Sequence, residues 1–219
     1  MLGDLLAQNG LGDPQEYLNP DAGASGFALA LARRVSAESY LERLRSRHTV
    51  NGWFGMKVMP HWLPAVTAAC ELPQRSAADT LRHLVPDARY ILIKRRDIVG
   101  AAVSTALSLK SGNWQEPAPA DLSVTFAEIH DNLVWLRECE DEWHRILADA
   151  GVSPLTLHYE DVVSSPGEAI ASVVQHLDVK PTGALVVEAR TPLLRDARSA
   201  ELAAGYLEWL ETLQPETAR

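Results

Sequence analysis

Apolar positions along the chain follow two patterns: the three-to-four spacing of a helix and the short unbroken run of a buried strand. Leu2, Leu5 and Leu6 recur at helical spacing with Gly10 behind them, which predicts a helix over residues 1–9. Residues 10–26 hold Gly12, Asp13-Pro14, Asn19-Pro20, Gly23 and Gly26, and read as a long surface loop carrying Glu16 and Tyr17. Ser36 opens a capping pattern, and Tyr40, Leu41 and Leu44 mark a helix to about Arg47. After the Asn51-Gly52 turn, residues 53–59 read as a short buried strand stopped by Pro60. Helices are expected over 62–71 and 76–84, and the cleanest strand over 90–93, where Tyr90-Ile91-Leu92-Ile93 is uncharged and ends at Lys94-Arg95-Arg96-Asp97. An alanine-rich helix follows from about Asp97 to Leu109, then a loop over 111–123 with Gly112, Pro117 and Pro119. Phe126, Ile129, Leu133, Leu136, Trp143 and Leu147 predict the strongest helix, which stops at Gly151. A strand over 155–159 and helices over 166–177 and 199–212 complete the chain. Short apolar strands alternating with helices predict α/β class: one domain over 1–219, a mostly parallel sheet with helices on both faces.

Composition narrows the class of function. In 219 residues there are 20 Lys+Arg against 29 Asp+Glu, a net charge of −9. That balance argues against a nucleic-acid footprint or an anionic membrane surface, both of which need a basic face. No apolar run approaches the ~18 residues that span a bilayer, so no membrane insertion is expected. Cys70 and Cys139 lie far apart without metal-ligand spacing, which predicts inert, reduced thiols and a cytoplasmic setting.

In an open parallel sheet, ligands bind beyond the carboxyl ends of strands. Lys94, Arg95 and Arg96 gather at such an end, just before a helix whose first N–H groups attract anions. Arg96 and Ser104 are eight residues apart and could converge on one phosphate, with the guanidinium fork suited to its oxygens. A cluster that merely solvates a strand end is the competing reading.

These residues also carry a resemblance. Arg96-Asp97 with Ser104 after an apolar strand resembles the 3′-phosphate motif of sulfotransferases that use 3′-phosphoadenylyl sulfate. Pro14-Gln15-Glu16-Tyr17-Leu18, Tyr40-Leu41, Asn51-Gly52, Phe54-Gly55-Met56-Lys57-Val58-Met59, Ser111-Gly112-Asn113-Trp114 and His158-Tyr159-Glu160-Asp161-Val162 follow in order. The set is similar to the bacterial trehalose 2-sulfotransferase-like family, from residue 1 to about 178 and more weakly around Arg195-Asp196 and Trp209. The resemblance implies a P-loop nucleotide-kinase-like fold that transfers a sulfuryl group from 3′-phosphoadenylyl sulfate to a hydroxyl of a small, carbohydrate-type acceptor. The product would be adenosine 3′,5′-bisphosphate, and no metal is implied. Arg96 and Ser104 would hold the donor's 3′-phosphate, and Glu16 would be the general base. Lys57 is a candidate for neutralising sulfate charge, or a strand-end lysine reaching solvent. His61 and Trp62 are candidates for the acceptor pocket, or packing residues. Trp114 either stacks on adenine or sugar or packs its loop. Arg190, Arg195 and Arg198 either reach donor phosphate or pair with Glu201. Tyr159-Glu160-Asp161, His130 and His144 read as structural. A homodimer is left open.

The family's pattern places a first strand and an Arg-Ser-Gly-Ser-Thr type loop ahead of the first helix, and here Met1–Leu6 corresponds to that helix. The 5′-phosphosulfate half of the site is therefore expected to be absent, since no G-x-x-x-x-G-K-[ST] pattern replaces it. Two rivals follow: a truncated or degenerate non-catalytic member that binds nucleotide or a protein partner, and a nucleotide kinase, which the lack of a Walker lysine disfavours.

Overall fold

The computed structural model describes residues 1–21, 26–71, 76–114, 116–180, 183–188 and 197–213. The chain divides into two compact units, residues 1–94 with 141–191 and residues 95–140 with 192–219. The described elements are helix-rich α/β, and the first unit holds a small parallel sheet flanked by helices.

The first unit opens with α1, Leu2–Gln8, which buries Leu5 and Leu6 and ends where Gly10 turns into the left-handed region. A short helix that periodicity did not reveal, α2, Phe27–Ala32, sinks Phe27 and Ala30 into the core. The expected caps are present. Ser36 starts α3, Ala37–His48, by accepting the Ser39 N–H, and Ser76 does the same for Asp79 at the start of α5, Ala77–Leu84. Between them lie a 3-10 turn, Pro60–Trp62, and α4, Leu63–Ala68. Strand β1, Ile91–Lys94, pairs in parallel with β2, Leu155–His158, in the register Ile91 to Leu155 through Lys94 to His158. Residues 159–164, the first of them expected as the strand end, form helix α8, Tyr159–Ser164, and lead into α9, Pro166–Leu177. Two apolar clusters hold this unit. One gathers Leu18, Phe27, Leu41, Leu63, Val66, Leu81, Leu84 and Ile146. The other gathers Leu5, Leu6, Leu11, Val162, Ile170 and Val173, with Ile91, Leu155 and Leu157 of the sheet packed on it. Each fully buried Leu, Ile, Val or Phe removes enough apolar area to contribute about 1.5–3 kcal/mol.

Residues 53–59 depart from the expected strand. Among the described residues they form no strand of the sheet and meet other backbone at isolated bridges, Val50 with Trp53 and Gln15 with Met56. Phe54, Met56 and Val58 still pack on the first cluster, so the alternation is real while the ladder partner is a loop.

The second unit contains α6, Ile98–Ser111, the first part of α7, Phe126–Ala150, and α10, Ala197–Leu213. Alanine-rich α6 is buried on most of its surface, and its cluster with Ile129, Ala203 and Tyr206 forms the core. Thr125 and Glu128 form a reciprocal capping box at the start of α7: Glu128 N–H donates to Thr125 Oγ1 and Thr125 N–H to Glu128 Oε2. Tyr206, fully buried, bonds His130 Nδ1 at 2.8 Å.

Candidate functional site

Glu16 stands at the first position of a tight turn closed by the Asn19 N–H donating to the Glu16 carbonyl at 3.1 Å. The two residues between them are the turn's anchors. Leu18 is buried in the core. The Tyr17 ring stacks on Phe54 at 5.7 Å and tilts against His48 at 5.0 Å. Tyr17 Oη donates to the Asp13 carbonyl, and Tyr40 Oη donates to the Tyr17 carbonyl. Burial, with Asp13 and Tyr40 adding, pushes the Tyr17 phenol above its ordinary value, which keeps it a donor. With residues 17 and 18 fixed, the carboxylate of Glu16 is turned outward.

Two glycines bring Lys57 beside it. A Cβ on Gly12 would meet the Gly55 nitrogen at 2.7 Å, and one on Gly55 would meet Pro14 Cγ at 2.8 Å. Without those side chains the loop and residues 53–59 lie close enough for the Lys57 N–H to donate to the Gln15 carbonyl at 2.9 Å. The Lys57 ammonium then reaches Glu16 Oε1 at 2.5 Å, with 58% of the lysine and 43% of the glutamate side chain exposed. The Met1 amine, lowered by burial and raised by Asp4, is lowered further by the charge of Lys57, so the start of α1 lies within electrostatic reach of the pair. His61 and Trp62 sit in the 3-10 turn of the same unit. His61 is exposed and meets the Trp62 ring edge-on at 5.6 Å, whereas Trp62 is buried, 4% exposed.

Arg96 and Ser104 belong to the second unit. Asp97 caps α6 by accepting the Gly100 N–H at 2.8 Å. The helix end expected to attract an anion is thus partly taken by the chain's own carboxylate, and positive charge comes from the exposed Arg95 and Arg96. Ser104 is exposed while Ala101, Ala102, Val103, Thr105, Ala106 and Leu107 around it are buried. It opens on the face of Gly100, one turn earlier. Helix α6 begins at Ile98, so Ser104 lies six residues of rise, roughly 9 Å, along the axis from its start, a gap that a long guanidinium arm ahead of the cap and a phosphate can share. Lys94, the third cation, has its ammonium 3.2 Å from His144 Nε2. After the left-handed Gly112 that ends α6, Trp114 stands 57% exposed.

Arg198 donates to the Pro119 carbonyl at 2.8 Å; Arg190 and Arg195 lie outside the described residues. Asp161 lies in the first turn of α8, 3.9 Å from His158 Nδ1. Cys70 and Cys139 form no disulfide among the described residues, and burial pushes the Cys70 thiol up to about 11, with Glu38 adding. Among the described residues no three His, Cys, Asp or Glu side chains gather to hold a metal ion, and no helix is long and apolar enough to cross a membrane.

The structure therefore joins Glu16 to Lys57 and His61 to Trp62, and sets Arg96 and Ser104 around the start of one helix. Asn19 is a further partner of the site: its side-chain Nδ2 donates to Glu16 Oε2 at 3.2 Å. Its only sequence signal is an Asx residue before proline at the end of the turn. The family model described as Stf0 sulphotransferase matches residues 1–208. No curated protein matches the chain.

Proposed function

This chain belongs to the Stf0 sulphotransferase family, and on that footing we propose that it transfers a sulfuryl group from 3′-phosphoadenylyl sulfate to a hydroxyl of a small, carbohydrate-type acceptor. The observation that carries the reading is the exposed Glu16 carboxylate held against the Lys57 ammonium at 2.5 Å, a base and a counter-charge side by side.

Sulfuryl transfer, like phosphoryl transfer, depends on in-line positioning and charge stabilisation more than on covalent protein chemistry. Glu16 takes the acceptor's hydroxyl proton as the new O–S bond forms. The bond from sulfur to the donor's 5′-phosphate oxygen breaks, and adenosine 3′,5′-bisphosphate leaves with that electron pair. Lys57 offsets negative charge on the transferring group. Arg96 and Ser104 bind the donor's 3′-phosphate through a guanidinium and a hydroxyl, and Trp114 offers an exposed aromatic face for stacking. The exposed His61 is assigned to the acceptor side, and the buried Trp62 packs beneath its edge. Cys70 and Cys139, which form no disulfide among the described residues, are in keeping with a reducing, cytoplasmic setting.

Calorimetry with adenosine 3′,5′-bisphosphate, paired with a turnover assay, tests the reading. Arg96→Ala removes a charge-assisted contact of about 2 kcal/mol, which is roughly a 30-fold loss of affinity. Ser104→Ala removes a neutral hydroxyl bond of about 1 kcal/mol, roughly fivefold. Unchanged affinity in Arg96→Ala removes the phosphate assignment. Tight binding without turnover by the wild-type chain identifies a nucleotide-binding protein that does not transfer sulfate.

A further inference from the structure

Glu16 is gripped at both carboxylate oxygens, and the two grips differ in kind. Lys57 holds Oε1 from the end of a flexible side chain that is more than half exposed. An ammonium is a compact, strongly hydrated point charge, and an exposed ion pair is weak enough to yield to a second anion. Asn19 holds Oε2 from within the turn itself. Its backbone N–H closes that turn on the Glu16 carbonyl, Leu18 beside it is buried, and Pro20 after it restricts its backbone to extended conformations.

The amide of Asn19 has one orientation. The Asp21 N–H donates to Asn19 Oδ1 at 2.9 Å, so that end must be the oxygen. The nitrogen is thereby aimed at Glu16 Oε2, 3.2 Å away. An amide fixed at both ends on a closed turn is a rigid donor.

We propose that Asn19 is the positioning residue of Glu16, holding Oε2 while Lys57 leaves Oε1 for the transferring sulfuryl group, so that Oε1 faces the acceptor hydroxyl. This deepens the reading given above and rests on it. The oxygens of the sulfuryl group compete with Glu16 for the ammonium. As Lys57 moves to them, Oε1 loses its partner and accepts the acceptor's proton; that O–H electron pair forms the O–S bond, and the pair of the breaking S–O bond departs with adenosine 3′,5′-bisphosphate. Without Asn19, a carboxylate released by Lys57 rotates freely, and misplacement of a reacting group by about 1 Å is enough to cost on the order of 10²-fold in rate.

Asn19→Asp separates this role from a structural one. The substitution keeps an oxygen for the Asp21 N–H and suits the turn equally well, but replaces the donor facing Glu16 with a negative charge. The assay supplies 3′-phosphoadenylyl sulfate with trehalose as the acceptor probe, and follows release of adenosine 3′,5′-bisphosphate. Wild type, Glu16→Gln, Asn19→Asp and Asn19→Ala are compared. The expected result for Asn19→Asp is kcat lower by on the order of 10²-fold, an acid limb of the kcat profile moved to higher pH by the added negative charge, unchanged affinity for adenosine 3′,5′-bisphosphate and an unchanged urea midpoint. Asn19→Ala lowers kcat without moving that limb. Asn19→Asp turning over as wild type while Glu16→Gln is impaired overturns the role of Asn19 alone. Turnover insensitive to Glu16→Gln overturns the base and the positioning residue together. Absence of turnover in wild type overturns the transferase reading and this proposal with it.

Discussion

The start of α6 makes a sharp energetic prediction because Gly100 and Asp97 occupy each other's space. A Cβ on Gly100 would stand 2.4 Å from Asp97 Oδ2, 2.8 Å from Cγ and 3.0 Å from Oδ1. The group it would strike is the carboxylate that accepts the Gly100 N–H, so the strain is relieved only by giving up the cap. Loss of an Asp cap costs about 1 kcal/mol, while replacing glycine by alanine in a helix returns about 0.8 kcal/mol. Gly100→Ala in the wild-type background is therefore nearly neutral, about 0.2 kcal/mol destabilising on those figures. In the Asp97→Ala background the cap is already gone, and the same substitution stabilises by about 0.8 kcal/mol. Urea denaturation of the four proteins, followed by circular dichroism, measures the cycle. A coupling of about 1 kcal/mol is expected, well above the roughly 0.3–0.5 kcal/mol within which independent sites add. Additive effects would refute the argument that the missing side chain at position 100 exists for the sake of the cap. A strongly destabilising Gly100→Ala in both backgrounds would refute it from the other side, by showing that something other than Asp97 is struck.

Two further outcomes concern ionisation. The Lys110 ammonium, aided by the Thr125 N–H and hydroxyl, holds the exposed Glu128 carboxyl down to about 2. The folded value lies below the ordinary 4.5, so the stabilising contribution is fully present above that pH and is lost as pH falls toward 2. Carbon-13 titration of Glu128 checks this, with a midpoint near 2 that rises in Lys110→Ala; an ordinary midpoint in wild type sinks it. Burial, with the charge of Glu38 adding, pushes the Cys70 thiol up to about 11. Near pH 8 its alkylation by iodoacetamide is expected to run on the order of 10²-fold slower than that of a free cysteine, and to quicken as pH rises. A rate matching the free thiol contradicts the assignment.

What could be read in the sequence was what local chemistry decides. The long helix α7 follows from apolar residues at three and four, and β1 from a β-branched run cut off by charge. The Ser36 cap was legible because serine competes for backbone N–H groups only a few residues ahead. Helix α2 was not, since Phe27–Ala32 is too short for periodicity and owes its stability to the burial of Phe27 and Ala30. Residues 53–59 show the same limit in a strand. Phe54, Met56 and Val58 alternate as a half-buried strand should, and they are packed as one. Strand pairing, however, is decided by a distant partner, and here Gly12, Pro14 and Gly55 bring up a loop that offers a single bridge at Gln15.

The candidate site divides along the same line. Arg96, Asp97 and Ser104 fall within two turns of one helix start, so spacing alone was enough to set them near each other. Glu16 and Lys57 are 41 residues apart, and no periodicity joins them. Each was picked out through family resemblance, in separate roles of base and sulfate counter-charge. Their pairing adds a constraint that neither assignment contained, because a carboxylate in contact with an ammonium cannot accept a proton at that oxygen until the cation moves. Lys57 is well placed to move, being exposed, while Glu16 sits on a turn fixed by Tyr17, Leu18 and Asn19. On the proposed reading, the asymmetry between a rigid acid and a loose cation gives the pair a direction: an arriving anion draws the lysine off and uncovers Glu16 as the base. Turnover that depends on Glu16 but is indifferent to Lys57→Met would show that the cation has no part in this exchange.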